Sequence, residues 1–195
     1  EYLAFIHEGG YRRPEFWLSD GWAAVQREGW TAPLYWSASP DSSWRVFTLA
    51  GPRPLVAAEP VSHLSHYEAD AFARWSGARL PTEAEWEVAA SSVALHGNFA
   101  DHGVFHPRPA QGDGLCQMIG ALWQWTASPY VAYPRSRPAD GALGEYTSKF
   151  MSGQMVLRGG SAVTPADHLR VTYRNFFPPS ARWAFSGVRL AADAG

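Results

Sequence analysis

Disulfides cannot hold this chain together, because its 195 residues include one cysteine, Cys116. A lone thiol excludes an intrachain disulfide framework and points to a reducing compartment, so the expected location is the cytoplasm. Long apolar runs are missing as well. None approaches the roughly 20 residues that a membrane-spanning helix needs, and no membrane partner is expected. Charge is scarce in both signs. Lys and Arg number 16 against 18 Asp and Glu, a formal net charge of -2. That balance gives no electrostatic footprint for nucleic acid. Internal repeats and low-complexity tracts are absent too.

What the chain has in quantity is aromatic, glycine and proline residues: ten Trp, eight Tyr, ten Phe, 18 Gly and 15 Pro. Such a mixture predicts a loop-rich fold whose irregular segments are pinned by rings. The opening Glu1-Tyr-Leu-Ala-Phe-Ile-His-Glu-Gly9 reads as a helix already under way, without an N-cap and closed at Gly9 or Gly10. The expectation is that the native protein continues upstream. Ser19 or Asp20 is expected to cap a short helix that stops at Gly29. Strands are expected at Leu34–Trp36 and Trp44–Leu49, with Gly51–Pro60 a proline-rich connection. Ser65-x-x-Glu68 is a capping box opening a helix with Ala69, Phe72 and Trp75 on one face, ended by Gly77. Ser91–Gly114 and Pro129–Phe150 read as loops. Met155–Ser161 reads as a strand running into a glycine turn. The alternation at His168–Tyr173 predicts another strand, and Trp183–Leu190 a last one with a bulge at Gly187. Helices set among short strands and long loops make the fold class α+β.

The most informative stretch is Arg79–Ala90, RLPTEAEWEVAA. Thr82 and Glu85 form a second capping box, Leu80 and Trp86 are spaced for a hydrophobic staple, and Trp86, Ala89 and Ala90 share a face. Arg-Leu-Pro-Thr-Glu-Ala-Glu-Trp-Glu also resembles the signature of the formylglycine-generating-enzyme-like, or sulfatase-modifying-factor, domain. Further stretches similar to that family follow in order. They are Pro60-Val-Ser-His63 leading into Tyr67-Glu-Ala-Asp-Ala, then Gly120–Thr126, Leu157-Arg-Gly-Gly-Ser161 and Phe185-Ser-Gly-Val-Arg-Leu190. The resemblance covers essentially the whole chain and implies a C-type-lectin-like core. The founding members oxidise a substrate cysteine with two copper-binding cysteines. The matching places here are Thr164 and Leu169, which offer copper(I) no soft ligand, so that activity is rejected.

A different branch matches better. Gly9–Trp22, His106-Pro-Arg-Pro, Gly144-Glu-Tyr-x-x-Lys-Phe-Met151 and Tyr173-Arg-Asn-Phe-Phe-Pro-Pro179 resemble the ergothioneine sulfoxide synthases and the related selenoneine synthases. Such enzymes use non-haem iron and O2 to join sulfur or selenium to the imidazole carbon of hercynine, a trimethylated histidine betaine. Hercynine, O2 and a cysteine-like thiol or selenium donor are the expected small-molecule partners. In that branch three His of an N-terminal DinB-like domain hold the iron. The expectation is therefore a cofactor, iron(II), bound by residues outside residues 1–195, and no metal ligand within them.

By the same resemblance, Asn175 and Phe176 contact hercynine: an amide suits its imidazole or carboxylate, and a ring suits its trimethylammonium group. Arg170 and Arg174, with His168, form a basic edge suited to carboxylates, the alternative being structural pairing with Asp or Glu. Arg182 is a further candidate for the donor's carboxylate, one place off the matching spacing. A proton-donating tyrosine is expected among Tyr130, Tyr133 and Tyr146, with Tyr130 and Tyr146 the catalytic candidates. Phe177 stands where users of γ-glutamylcysteine carry an Asp, so that donor is disfavoured. Ala121 and Gln124 replace the acidic or amide side chains with which some relatives bind calcium. His102 and His106 have helical ligand spacing, but Gly103 and Pro107 oppose a helix. His63 and His66 straddle a helix start with no further ligand in range. Cys116, beside Leu115, Met118 and Ile119, reads as a buried small hydrophobe and not a nucleophile. Two rival readings are a non-catalytic lectin-like binding module and an inactive paralogue.

Overall fold

Two helices start where the local chemistry demands it. Ser65 accepts the Glu68 amide while the Glu68 carboxylate accepts the Ser65 amide, opening α3 (His66–Trp75). Thr82 and Glu85 repeat the device at α4 (Glu83–Ser91). The structure is a computed structural model that describes residues 1–94, 96–144 and 149–193. Before these helices come α1 (Tyr2–His7) and α2 (Ser19–Glu28). Gly29 closes α2 in the left-handed region at φ 65°. Its N-cap is Leu18 rather than Ser19 or Asp20, and no side chain caps it. Asp20 lies instead in the first turn, where it complements the helix dipole.

The first sheet is an antiparallel meander of β1 (Trp36–Ala38), β2 (Trp44–Thr48) and β3 (Gly51–Pro54). Finding β3 inside the proline-rich connection corrects the sequence reading. An edge strand tolerates prolines because its outer side donates to no ladder, and Pro52 and Pro54 lie opposite Phe47 and Arg45.

The second sheet has the order β6-β5-β4-β7 and carries the candidate site. Its strands are β4 (Trp123–Pro129), β5 (Met155–Arg158), β6 (Asn175–Phe177) and β7 (Ser186–Gly187). β5 runs antiparallel to both β4 and β6, and β7 runs parallel to β4. The expected strand at His168–Tyr173 is not one. Ala166–His168 is a 3-10 turn, and the ladder begins only at Asn175. The alternation was nonetheless meaningful: Leu169, Val171 and Tyr173 are half-buried while His168, Arg170 and Thr172 are exposed. Side-chain burial alternates there without backbone pairing. Similarly, only Ser186–Gly187 pairs within Trp183–Leu190. Gly187 is no bulge; a Cβ there would come 2.6 Å from Leu122 Cδ1 and 2.9 Å from the Val61 carbonyl, so close packing requires glycine.

Three apolar clusters tie these parts together. One joins α1, α2 and α3 through Phe5, Val25, Leu64 and Phe72. The second lies between α3 and the β4–β5 pair, with Ala69, Leu80, Trp125 and Leu157. The third packs α4 through Trp86 and Ala90 on Phe99, Met118 and Ile119. Leu80 and Trp86 are both buried but belong to different clusters, so the expected staple does not join them. The α+β, loop-rich expectation holds. No helix among the described residues is long and apolar enough to cross a membrane.

Candidate functional site

β6, the residue before it and the end of β4 bring the side chains of Tyr130, Phe176 and Arg174 together. Tyr130 follows β4, and its amide donates to the Gln154 carbonyl at 2.9 Å. Its ring stacks on Phe176 of β6, with centroids 4.2 Å apart and planes 7° from parallel. Phe150 lies 6.3 Å from the same Phe176 ring. Asn175 precedes Phe176 in β6 and is half-buried, its Oδ1 accepting the Phe176 amide at 2.9 Å. The guanidinium of Arg174 lies over Tyr130 at 4.7 Å and over Tyr133 at 4.3 Å. Tyr130, Phe176 and Arg174 thus form one constellation, with Asn175 between the last two in sequence.

Arg174 has an acidic partner that sequence reading did not assign. Its Nε donates to Glu83 Oε1 at 2.6 Å and its Nη2 to Glu83 Oε2 at 3.0 Å. Glu83 is the first residue of α4, where a carboxylate is favoured by the helix dipole. Its amide donates to Ser128 Oγ at 2.9 Å, and its carboxylate also accepts the Tyr133 hydroxyl at 3.1 Å. Burial, and then the Glu83 charge, raise the Tyr133 phenol above its ordinary pKa. One turn on, Glu87 pairs with Arg158 of β5, whose side chain is wholly buried. Arg158 also donates to the Tyr173 carbonyl at 2.8 Å and lies 3.5 Å from Glu83. Burial lowers its pKa, with Glu83 opposing that shift. The i, i+4 spacing of Glu83 and Glu87 was the available signal for this pair of inward carboxylates.

Other candidates fall elsewhere. Arg170 is exposed and lies over the Tyr173 ring at 5.4 Å. Arg182 donates to Glu68 at 2.8 and 2.9 Å, donates to the Ala32 carbonyl, and covers Trp30 at 4.3 Å. Tyr146 lies outside the described residues. Phe177 points away from Phe176, into contact with Trp183 at 4.4 Å. A cavity of about 860 Å³, lined by Tyr2, Trp36, Val46, His106 and Arg189 among others, contains none of the Asn175–Phe176 group.

His63 and His106 pack against the same Phe185 ring, and the other histidines lie elsewhere. His102 Nδ1 accepts the Phe99 amide, whereas His106 Nε2 faces Glu59 at 3.3 Å. His63 is buried between Tyr35 and Phe185, and burial lowers its pKa to about 4. Among the described residues no three His, Cys, Asp or Glu side chains are grouped to hold a metal. The place of the calcium ligands is filled otherwise. Gln124 Nε2 donates to the Gln117 and Met118 carbonyls, and its Oε1 accepts from Trp86 and from Arg189. An amide and a guanidinium occupy that donor set, so calcium does not fit it. Cys116 differs from the expected buried hydrophobe. It is half-buried, with its thiol 3.3 Å from the Gln111 and Gly112 carbonyls.

These observations fit the result of comparison with known proteins. The chain belongs to the family of the sulfatase-modifying factor enzyme 1-like domain, whose model matches residues 1–111 and 102–194. Within that family it is similar to the hercynine oxygenase of Mycobacterium tuberculosis, at 39% identity over 218 residues. It is also similar to that of Mycolicibacterium thermoresistibile, at 37% over 221 residues. Each match covers 99% of this chain but 50% and 48% of the relative. The chain therefore spans about half the length of these relatives. PvdO from Pseudomonas aeruginosa has the same fold, with a TM-score of 0.55 at 19% identity over 86% of this chain and 74% of PvdO.

Proposed function

We propose that this chain is the substrate-binding domain of an iron(II)- and O2-dependent enzyme that joins sulfur or selenium to the imidazole of hercynine. The observation that carries the reading is the stack of Phe176, next to Asn175 in sequence, on Tyr130, in a chain 37–39% identical to hercynine oxygenases. The stacked rings offer an aromatic face to a trimethylammonium cation. The Asn175 amide is a hydrogen-bond partner for the imidazole. Tyr130 supplies a phenol O–H as a proton source beside them. In this reading the iron is held by residues outside residues 1–195, as the family resemblance implies, and no step is routed through it. Phe177 packs on Trp183 and offers no charge to a donor's ammonium, which favours a donor smaller than γ-glutamylcysteine.

Turnover by the full-length protein tests the proposal. Iron(II), O2 and hercynine are supplied with equal γ-glutamylcysteine, cysteine and a selenium donor. The expected result is a hercynine-derived C–S or C–Se product, with γ-glutamylcysteine consumed last. Absence of any such product from iron-loaded protein would overturn the reading.

A further inference from the structure

We infer that Glu83 and Arg174 form a strut that positions Tyr130 on Phe176, and that Arg174 is not a clamp for the substrate's carboxylate; the substrate half rests on the proposed function. Three of the five guanidinium N–H donors of Arg174 are committed, including the Nε–Nη2 fork that suits a carboxylate. Nε and Nη2 hold the two Glu83 oxygens, and Nη1 donates to the Val131 carbonyl at 3.0 Å. Its flat surface is occupied as well, against Tyr130 and Tyr133. A substrate carboxylate could enter that fork only by displacing Glu83.

Glu83 cannot leave cheaply. The local charges are two carboxylates, Glu83 and Glu87, and two guanidiniums, Arg158 and Arg174. Arg158 has no exposed side-chain surface. Pulling Arg174 toward a new anion would leave Glu83 short of a partner in a site that is nearly dry. The strut also grips Tyr130 at the right points. Arg174 bonds the Val131 carbonyl immediately after it, while the Tyr130 amide is held by Gln154. Tyr133 closes the ring of contacts by donating to the same Glu83. The first turn of α4, where the family signature lies, thereby sets the ring that stacks on Phe176. Glu83 and Arg174 are positioning residues, not catalytic ones.

Two arms test this in the full-length protein. The first needs no substrate: crystal structures of Arg174→Gln and Glu83→Gln. The Tyr130 ring is expected to move more than about 1 Å from its stack while α4 and the sheet keep their places. An unmoved stack in both variants overturns the strut. The second arm compares hercynine with its carboxylate-free analogue, trimethylated histamine. A misplacement of that size typically costs on the order of 10²-fold in rate. The expected loss for Arg174→Gln falls mainly in kcat and is the same with both substrates. A loss that vanishes with the carboxylate-free analogue shows a clamp and refutes the inference. Arg174→Lys, which keeps the charge but loses the fork, should recover part of the rate and serves if the Gln variants do not fold. Failure of the wild type to accept hercynine would sink the proposed function, and the crystallographic arm would still judge the strut.

Discussion

Replacing Arg182 by Met should unfold this domain more easily and leave its binding chemistry alone. Glu68 has no exposed surface. Its carboxylate accepts from Arg182 Nε and Nη2, from the Tyr11 hydroxyl at 2.5 Å, and from the Ser65 amide and hydroxyl at 2.8 and 2.9 Å. Arg182 supplies the only full positive charge among these donors. Breaking such a buried pair from one side costs about 3–5 kcal/mol, because the remaining carboxylate stays buried without its counter-charge. At roughly 2–4 °C per kcal/mol for a domain of this size, the thermal transition should drop by about 6–20 °C. Glu68→Gln in the Arg182→Met background should recover part of that loss, since an amide needs no counter-charge. Arg170→Met, at an exposed site, is the control and should stay within about 0.5 kcal/mol. Calorimetric melting of the full-length variants reads these shifts, and hercynine titration checks the folded protein. A penalty below about 1 kcal/mol would refute the ion-pair argument. An unshifted transition with a tenfold loss of hercynine affinity would return Arg182 to the binding set.

Three further outcomes follow from the same contacts. His63 is held neutral by burial, with a folded pKa of about 4 against an ordinary 6.5. Its contribution is fully present above pH 6.5 and lost as pH falls toward 4, worth about 3 kcal/mol, since only the unfolded chain takes the proton. Urea unfolding at pH 7 and pH 5 should show the drop, and His63→Phe should flatten it; equal slopes in both proteins would contradict this. Gln124→Leu strands the Trp86 N–H and two carbonyls and takes the partner of Arg189 Nε, so it should cost at least about 3 kcal/mol, summed from about 1–3 kcal/mol per buried orphan. A loss under 1 kcal/mol by denaturant melting would show that these groups find other partners. Cys116→Ser should keep kcat/KM within a few-fold, because the thiol is only a donor to nearby carbonyls; loss of several orders of magnitude in a folded variant would make it a reacting group.

How much of this was legible in the sequence depended on the range of the interaction. The capping boxes at Ser65 and Thr82 are closed within four residues, and both helices begin where those residues demand. Gly29 ends α2 through its own backbone freedom. Strand pairing is non-local, and the short strands escaped in proportion. β3 was hidden by its prolines. The alternation of Leu169, Val171 and Tyr173 reported burial and was mistaken for a ladder. The motif singled out Phe176, and its ring stacks on Tyr130, a contact between segments the sequence does not link. The partners of its charges were not legible. Arg174 finds Glu83 91 positions away and Arg182 finds Glu68 114 away, and nothing in a linear sequence tells one carboxylate from another at that distance.

The most direct test of the central claim is a calorimetric titration of hercynine into the full-length wild type, Asn175→Ala and Phe176→Ala. The wild type should bind. Asn175→Ala should lose about 0.5–1.5 kcal/mol, roughly 2- to 13-fold in Kd. Phe176→Ala should lose up to about 2 kcal/mol, roughly 30-fold. All three should melt within a few degrees of one another. A wild type that does not bind hercynine, or two variants that bind it as tightly as the wild type, would contradict the account.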